Sequence, residues 1–297
     1  MTSIPTYFIQ DFKHWNKIDF FKRMLYVFLF FNTITLLPAV NDIFGYNGLA
    51  GTKGFMWGGT KPFLNLLSHP INHKHEWIHW LFVVGQLFFL VLGFFRIKPI
   101  LSSVFIWFLT VNLFLKGGLF FTGGEVLVNF MLFYLMFIQK TDKSAKNYDI
   151  QNILNNTFYV ILLLQICVLY FFSTFWKLYN PDPLWRNGMA MFYISQIDTF
   201  SSGWLKALFE NNLWLAKGVT YLVLIYQGSF SLIVWIKKLK IPFLIMGLIF
   251  HLTISIGMGI FTFGIVMSLS YVLFLDQKHI EWMKKIGNKK SQNNLSY

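Results

Sequence analysis

Residues 153–176, ILNNTFYVILLLQICVLYFFSTFW, run without a charged side chain and end against Lys177. About twenty consecutive apolar residues cross the hydrocarbon of a bilayer as a helix, so this one stretch already points to a membrane protein. Seven further apolar runs surround it, roughly at 20–40, 77–95, 99–115, 119–138, 213–236, 241–257 and 259–276. The run at 119–138 carries Gly123, Gly124 and Glu125 near its start and is expected to be partly re-entrant. The last two, separated only around Gly257 and Gly259, read as a tight hairpin.

Composition agrees with this reading. The 297 residues are 56% hydrophobic and only 12% charged, where a soluble domain carries about a quarter charged residues. The net charge of +13 does not argue for nucleic acid, because the lysines lie in short clusters between apolar runs rather than on one folded face. The single cysteine, Cys167, sits inside the first-quoted run, so neither a disulfide framework nor a thiolate zinc site is expected. The first 23 residues carry four basic side chains, and the first run is expected to remain in the mature protein as a span.

The loop charges set an orientation. With the N-terminus inside, the inner segments receive Lys13, Lys17, Lys22 and Arg23, then Arg96 and Lys98, then Lys140, Lys143 and Lys146. They also receive Lys237, Lys238 and Lys240 and the five lysines that follow residue 276. Cytoplasmic loops favour Lys and Arg, so the expectation is an all-α polytopic domain over residues 1–276, with about eight transmembrane helices and both termini cytoplasmic. Residues 277–297 read as a basic cytoplasmic tail, expected to be disordered. Outside, the glycines of 41–76 argue against a long helix. Residues 187–210 suit an interfacial helix roofing the bundle.

Chemistry concentrates at the end of the opening stretch. Lys177 follows Tyr170, Phe175 and Trp176 and precedes Tyr179 and Trp185. A lysine at a helix end commonly snorkels along its own stem to the headgroups. The crowding aromatics, with Trp185 placed to close a pocket, add a second reading. An ammonium held against hydrocarbon loses the water that stabilises its charge, the condition under which a lysine serves as a base. His251, well inside its run, is either a hydrogen-bonded core histidine or a functional group. Ionisable residues at that depth face a partner or a cavity. Glu125 is the natural opposite charge for either residue, and Asn129 shares its helical face at i,i+4.

The pattern Tyr170…Lys177-Leu178…Trp185…Gly188 resembles a segment of the vitamin K-dependent gamma-carboxylase and of its bacterial relatives, the HTTM membrane proteins. So do Phe250-His251-Leu252…Ile256-Gly257-Met258 and the Gly123-Gly124-Glu125 helix start, the likeness extending over about residues 20–276. The resemblance implies that Lys177 is a catalytic base supported by His251 and Glu125, with Tyr170, Trp176, Trp185 and Asn129 lining a substrate pocket. It implies a quinol-like or other amphiphilic substrate and a place in the bacterial cytoplasmic membrane. The carboxylase's assisting histidine falls where this sequence has Gly124-Glu125, its disulfide has no counterpart, and only a short tail stands in place of its lumenal domain. Carboxylation of protein glutamates is therefore not expected. Some relatives, the sporulation-delaying protein B group, serve in maturing an exported peptide toxin with a partner protein. That implies an alternative, a non-enzymatic accessory factor whose outer loops bind a peptide or a small partner protein.

A third reading comes from His75-Glu76-Trp77-Ile78-His79, a literal H-E-x-x-H beside His69 and His73. Histidines at i and i+4 of a helix can ligate zinc, with the glutamate as base for a metal-bound water, as in a metalloprotease. Catalytic zinc normally takes three protein ligands, and a third has to be assumed here. A bound metal is therefore not expected, and His75, Glu76 and His79 stand as weak candidates only.

Overall fold

In the computed structural model, residues 4–50, 66–68, 74–118 and 122–281 are described, with side chains from residue 7 onward. All regular structure among these residues is helical. The chain divides into two compact units, residues 1–160 and 161–297.

The first unit contains α1 (Ile4–Ile9), α2 (Trp15–Ile34), α3 (Val40–Phe44), α4 (Glu76–Phe94), α5 (Pro99–Lys116), α6 (Gly123–Phe137) and the start of α7 (Tyr148–Tyr179). The second contains the rest of α7, then α8 (Ala190–Ser195), α9 (Gly203–Asn211), α10 (Leu213–Ile233), α11 (Lys237–Gly257) and α12 (Phe261–Ser270), the last prolonged by a 3-10 turn, Tyr271–Phe274. Each of the eight apolar runs has become a helix. Five, among the described residues, are long and apolar enough to cross a membrane: Trp15–Phe44, α4, α5, α7 and α11. The apolar segments Gly123–Phe137 and Phe261–Phe274 are shorter. At 1.5 Å per residue, α6 reaches about 22 Å against a hydrocarbon core of about 30 Å. The sequence 213–233 has the length, but Lys217, Thr220, Gln227, Ser229 and Ser231 make it less apolar.

Within the first unit α2 packs on α4, α4 on α5 and α5 on α6. Polar side chains at one end of this bundle are paired rather than loose. Lys17 Nζ donates to Tyr159 Oη at 2.8 Å, and Lys22 Nζ to the Ile138 carbonyl at 2.6 Å. Arg96 grips Asp19 with two prongs, and Arg23 Nε stands 3.4 Å from the same carboxylate. Burying charges is costly unless they are paired, which is why these cations sit beside a carboxylate, a hydroxyl and a carbonyl. The segments around 13–23, 96–98 and 140–143 therefore meet at one end of this unit.

The α4–α5 turn that carries Arg96 is strained. Arg96 and Lys98 have φ of +60° and +44°, a region that costs a non-glycine residue about 1–2 kcal/mol. The Arg96–Asp19 pair, the Ser102 hydroxyl on the Ile97 carbonyl at 2.7 Å, and Pro99 opening α5 hold the turn in place.

The N-terminal segment is lashed to the start of α7 by asparagines. Asn152 accepts from the Phe12 amide at 2.7 Å and donates to the Gln10 carbonyl at 2.6 Å, which Asn156 also reaches at 2.7 Å. Asp11 adds Lys143 at 2.5 Å and the Tyr148 hydroxyl at 2.7 Å, and both contacts hold its carboxyl below the usual range. His14 stacks on Tyr159 with ring centres 4.4 Å apart. Its burial, with Lys17 and Lys13 nearby, pushes the imidazole down to about 4.

In the second unit α11 and α12 form the expected hairpin, turning through Met258–Ile260 with Gly259 at φ +68°. Residues 187–210 give two short helices rather than one. Leu205 and Phe209 of α9 pack with Met191 of α8 and Ala216 of α10 in a small cluster capping that end of the unit. The Ser202 hydroxyl and amide both donate to the Gly257 carbonyl at 2.9 Å, tying this cap to the end of α11.

Candidate functional site

One face of α7 carries Tyr170, Ser173, Thr174 and Lys177, spaced three, four and seven residues apart, so they stand in a stripe about 10 Å long. Lys177 lies at its end. The ammonium donates to Ser173 Oγ at 2.5 Å and to Gln227 Oε1 of α10 at 2.8 Å. It also stands 4.9 Å from the centre of the Trp185 ring. A cation over an indole face is attracted by the ring quadrupole. No carboxylate lies within ion-pair range of Lys177 among the described residues. A hydroxyl and an amide carbonyl make up the cradle, and they serve a neutral amine and an ammonium alike, since the hydroxyl can either accept or donate.

About two helical turns deeper lies a closed polar cluster. His251 Nε2 is 2.5 Å from Tyr170 Oη, which is 2.5 Å from Tyr271 Oη, itself 2.8 Å from Tyr226 Oη. Tyr170 and His251 are fully buried. Hydroxyl protons can run in one direction along this chain, from Tyr226 through Tyr271 and Tyr170 to the imidazole, satisfying every oxygen. The other ring nitrogen, His251 Nδ1, is buried without a hydrogen-bond partner among the described residues. Gly247 makes the arrangement possible, because a Cβ there would collide with the hydroxyls of Tyr226 and Tyr271. Tyr226 precedes Gln227 in α10, so one helix serves both the lysine cradle and the buried cluster.

The residues singled out from sequence are therefore distributed unevenly. Lys177 meets Trp185, and Tyr170 meets His251. Trp176 instead is 60% exposed and sits edge-on to Phe175 and Tyr179, which stack along the outer face of α7. Arg186 donates to the Pro181 carbonyl at 3.2 Å, within its own turn. Glu125 lies in the first unit and caps its own helix. Its carboxylate takes the Thr122 amide at 2.7 Å and the Thr122 hydroxyl at 2.8 Å, while that hydroxyl accepts from the Gly124 amide at 3.1 Å. This is a capping box. Asn129, one turn on, is buried with both ends of its amide unpartnered among the described residues.

Of the histidine cluster, His69 and His73 lie outside the described residues. α4 begins at Glu76, so His75 is its N-cap in extended backbone and precedes the helical turn that carries His79. Glu76 accepts from the Asn41 amide at 3.2 Å, and His79 is buried where His75 is exposed. No group of three metal-ligating side chains occurs among the described residues.

Sequence reasoning missed Gln227, Ser173, Tyr226 and Tyr271. An amide just after the apolar stretch 222–225 is the available signal for Gln227. The tyrosines were hidden in a chain that is 20% aromatic.

Fold and site together define a helical membrane protein. Over 206 residues the chain is 22% identical to Sporulation-delaying protein SdpB of Bacillus subtilis (strain 168), a match covering 64% of this chain and 62% of that protein. Over 241 residues it is 24% identical to Uncharacterized protein YitO of the same strain, covering 72% and 76%. The first match thus spans less than two thirds of the relative's length. These distant likenesses are consistent with an SdpB-like group. No family model matches the sequence, and no solved structure matches.

Proposed function

We propose that this chain is a multi-pass protein of the bacterial cytoplasmic membrane that acts enzymatically on an amphiphilic, quinol-like or peptide substrate at the extracytoplasmic face, with Lys177 as base. The helices of its eight apolar runs all cross or enter the membrane, with both termini inside. The gathering of residues 13–23, 96–98 and 140–143 at one end of the first unit supports that alternation, because these are segments assigned to the same side.

The Lys177 cradle carries the enzymatic reading. Ser173 Oγ and Gln227 Oε1 hold the nitrogen at 2.5 and 2.8 Å, with no carboxylate beside it among the described residues. In the proposed step the neutral amine takes a proton from the substrate, leaving a substrate anion. The ammonium formed keeps both hydrogen bonds and gains the Trp185 face. His251 and the tyrosines fix α7 from below and hold Tyr170 at the inner end of the stripe. Glu125 and Asn129 are assigned to α6 as positioning groups in this reading.

The likeness to a sporulation-delaying protein favours a second reading, an accessory factor for maturation or export of a peptide, with the cap over residues 187–210 as the surface that meets the peptide or partner. Mass spectrometry of membranes and culture medium from producing cells with and without the chain separates the two. A chemically altered amphiphile or exported peptide that requires the chain supports catalysis. A change in the amount alone, with no altered species, contradicts it.

A further inference from the structure

Beyond the Lys177 site, the first unit holds a second constellation. A cavity of about 200 Å³ opens where α2, the α4–α5 turn and the end of α6 converge. Lys22, Arg23, Arg96 and Lys140 line it, against a single carboxylate, Asp19. That carboxylate is already taken up by Arg96 and Arg23. Lys22 is 7% exposed, and it spends one N–H on the Ile138 carbonyl. Its other two N–H bonds have no protein acceptor among the described residues, and a buried ammonium with donors to spare calls for an anion. The positive φ of Arg96 and Lys98 points the same way, since strained backbone persists where surrounding structure holds it for a purpose.

A second, apolar cavity of about 220 Å³ lies beside it, one turn further along α2 and α4. Tyr26 lines both. Beyond it the walls are Phe30 and Phe31 of α2 with Leu90, Phe94 and Phe95 of α4. Charge at the end of the bundle followed by an apolar groove along the span matches a molecule with an anionic head and a hydrocarbon tail.

We infer that the α2–α4 groove is a binding site for an anionic phospholipid, with its phosphate among Lys22, Arg23, Arg96 and Lys140 and an acyl chain against Phe30 and Phe94. Basic pockets between spanning helices are the recurring way in which membrane proteins take such headgroups. Free phosphate shares the headgroup chemistry but does not explain the groove.

The test uses the full chain purified in mild detergent and mixed with phosphatidylglycerol, phosphatidylcholine or inorganic phosphate, with retained lipid counted by native mass spectrometry. The wild type is expected to hold one phosphatidylglycerol through steps that strip phosphatidylcholine. Lys140→Glu, at an exposed position that does not threaten folding, is expected to weaken retention at least tenfold. Lys22→Met should do the same, and Lys146→Glu, outside the cavity, should leave retention unchanged. Equal retention of phosphatidylcholine, or no effect of Lys140→Glu, overturns the assignment. So does thermal stabilisation by inorganic phosphate without lipid retention, which would make the cavity a phosphate site only.

Discussion

The Lys177 ammonium and the Gln227 amide oxygen meet at 2.8 Å between α7 and α10, with Ser173 Oγ on the same nitrogen at 2.5 Å. The pairing is between a cation and a neutral acceptor. Replacing Gln227 by Leu removes the acceptor and leaves a half-buried ammonium short of one bond. Such a loss costs about 1–3 kcal/mol. We expect Gln227→Leu to lower the melting temperature and to reduce activity more than Ser173→Ala does. A fluorescence-detected melting series of the two variants measures the order, and equal stability of Gln227→Leu and wild type would remove Gln227 from the site.

Gly247 gives a sharper test of the buried cluster. A methyl at that position meets the hydroxyls of Tyr226 and Tyr271, and overpacking of this kind costs about 1–3 kcal/mol. Gly247→Ala is therefore expected to destabilise the protein, and Tyr226→Phe in the same chain should recover part of the loss by deleting one of the colliding oxygens. Additive effects of the two substitutions in a double-mutant cycle would deny the contact.

The N-terminal tether has a pH dependence whose sign follows from its two ionisable groups. His14 is held neutral in the folded state down to about 4, while an unfolded histidine takes its proton near 6.5. The unfolded segment therefore binds more protons between these values, and the tether weakens as pH falls through that window. Asp11, whose carboxyl is lowered by Lys143 and Tyr148, contributes stability present above the ordinary carboxylate range and lost below it. The protection of the Phe12 amide, taken relative to its intrinsic exchange rate at each pH, is expected to fall from pH 6.5 toward 4, and more gently in His14→Phe. An exchange rate that follows only the intrinsic pH dependence would refute this.

Orientation is open to labelling. Cys167 is buried, so the wild-type chain should be silent to a membrane-impermeant maleimide. A cysteine placed at Ser144 should react only after the membrane is opened, and one at Ser202 in intact cells. Reaction of both from the same side would contradict the alternation.

Much of the helical framework was legible because apolar length is a direct physical signal. All eight runs are helices, and the break at Gly257–Gly259 is where the hairpin turns. What sequence could not supply was which polar residues face one another. Glu125 illustrates this: as a lone acid in an apolar run it suggested a counter-ion, yet Thr122-Gly123-Gly124-Glu125 is the spacing of a capping box, and its carboxylate is spent locally. Gln227 carried no periodic mark. Asn152 and Asn156, spaced for one helical face, were the readable trace of the N-terminal tether. Tyr170 and His251 each stand out in the sequence, but their meeting depends on the packing of α11 against the hydroxyls of Tyr226 and Tyr271 at Gly247, which no local pattern announces.

The central claim is that Lys177 acts as a base, and replacing it with arginine tests this most directly. Guanidinium keeps a charge in the cradle but does not give up its proton. In cells lacking the chain, we predict that wild type restores the dependent product while Lys177→Arg, inserted in the membrane at the same level and with the same melting temperature, restores less than a hundredth of it. Restoration by Lys177→Arg to wild-type levels would contradict the account and leave the lysine a structural cation.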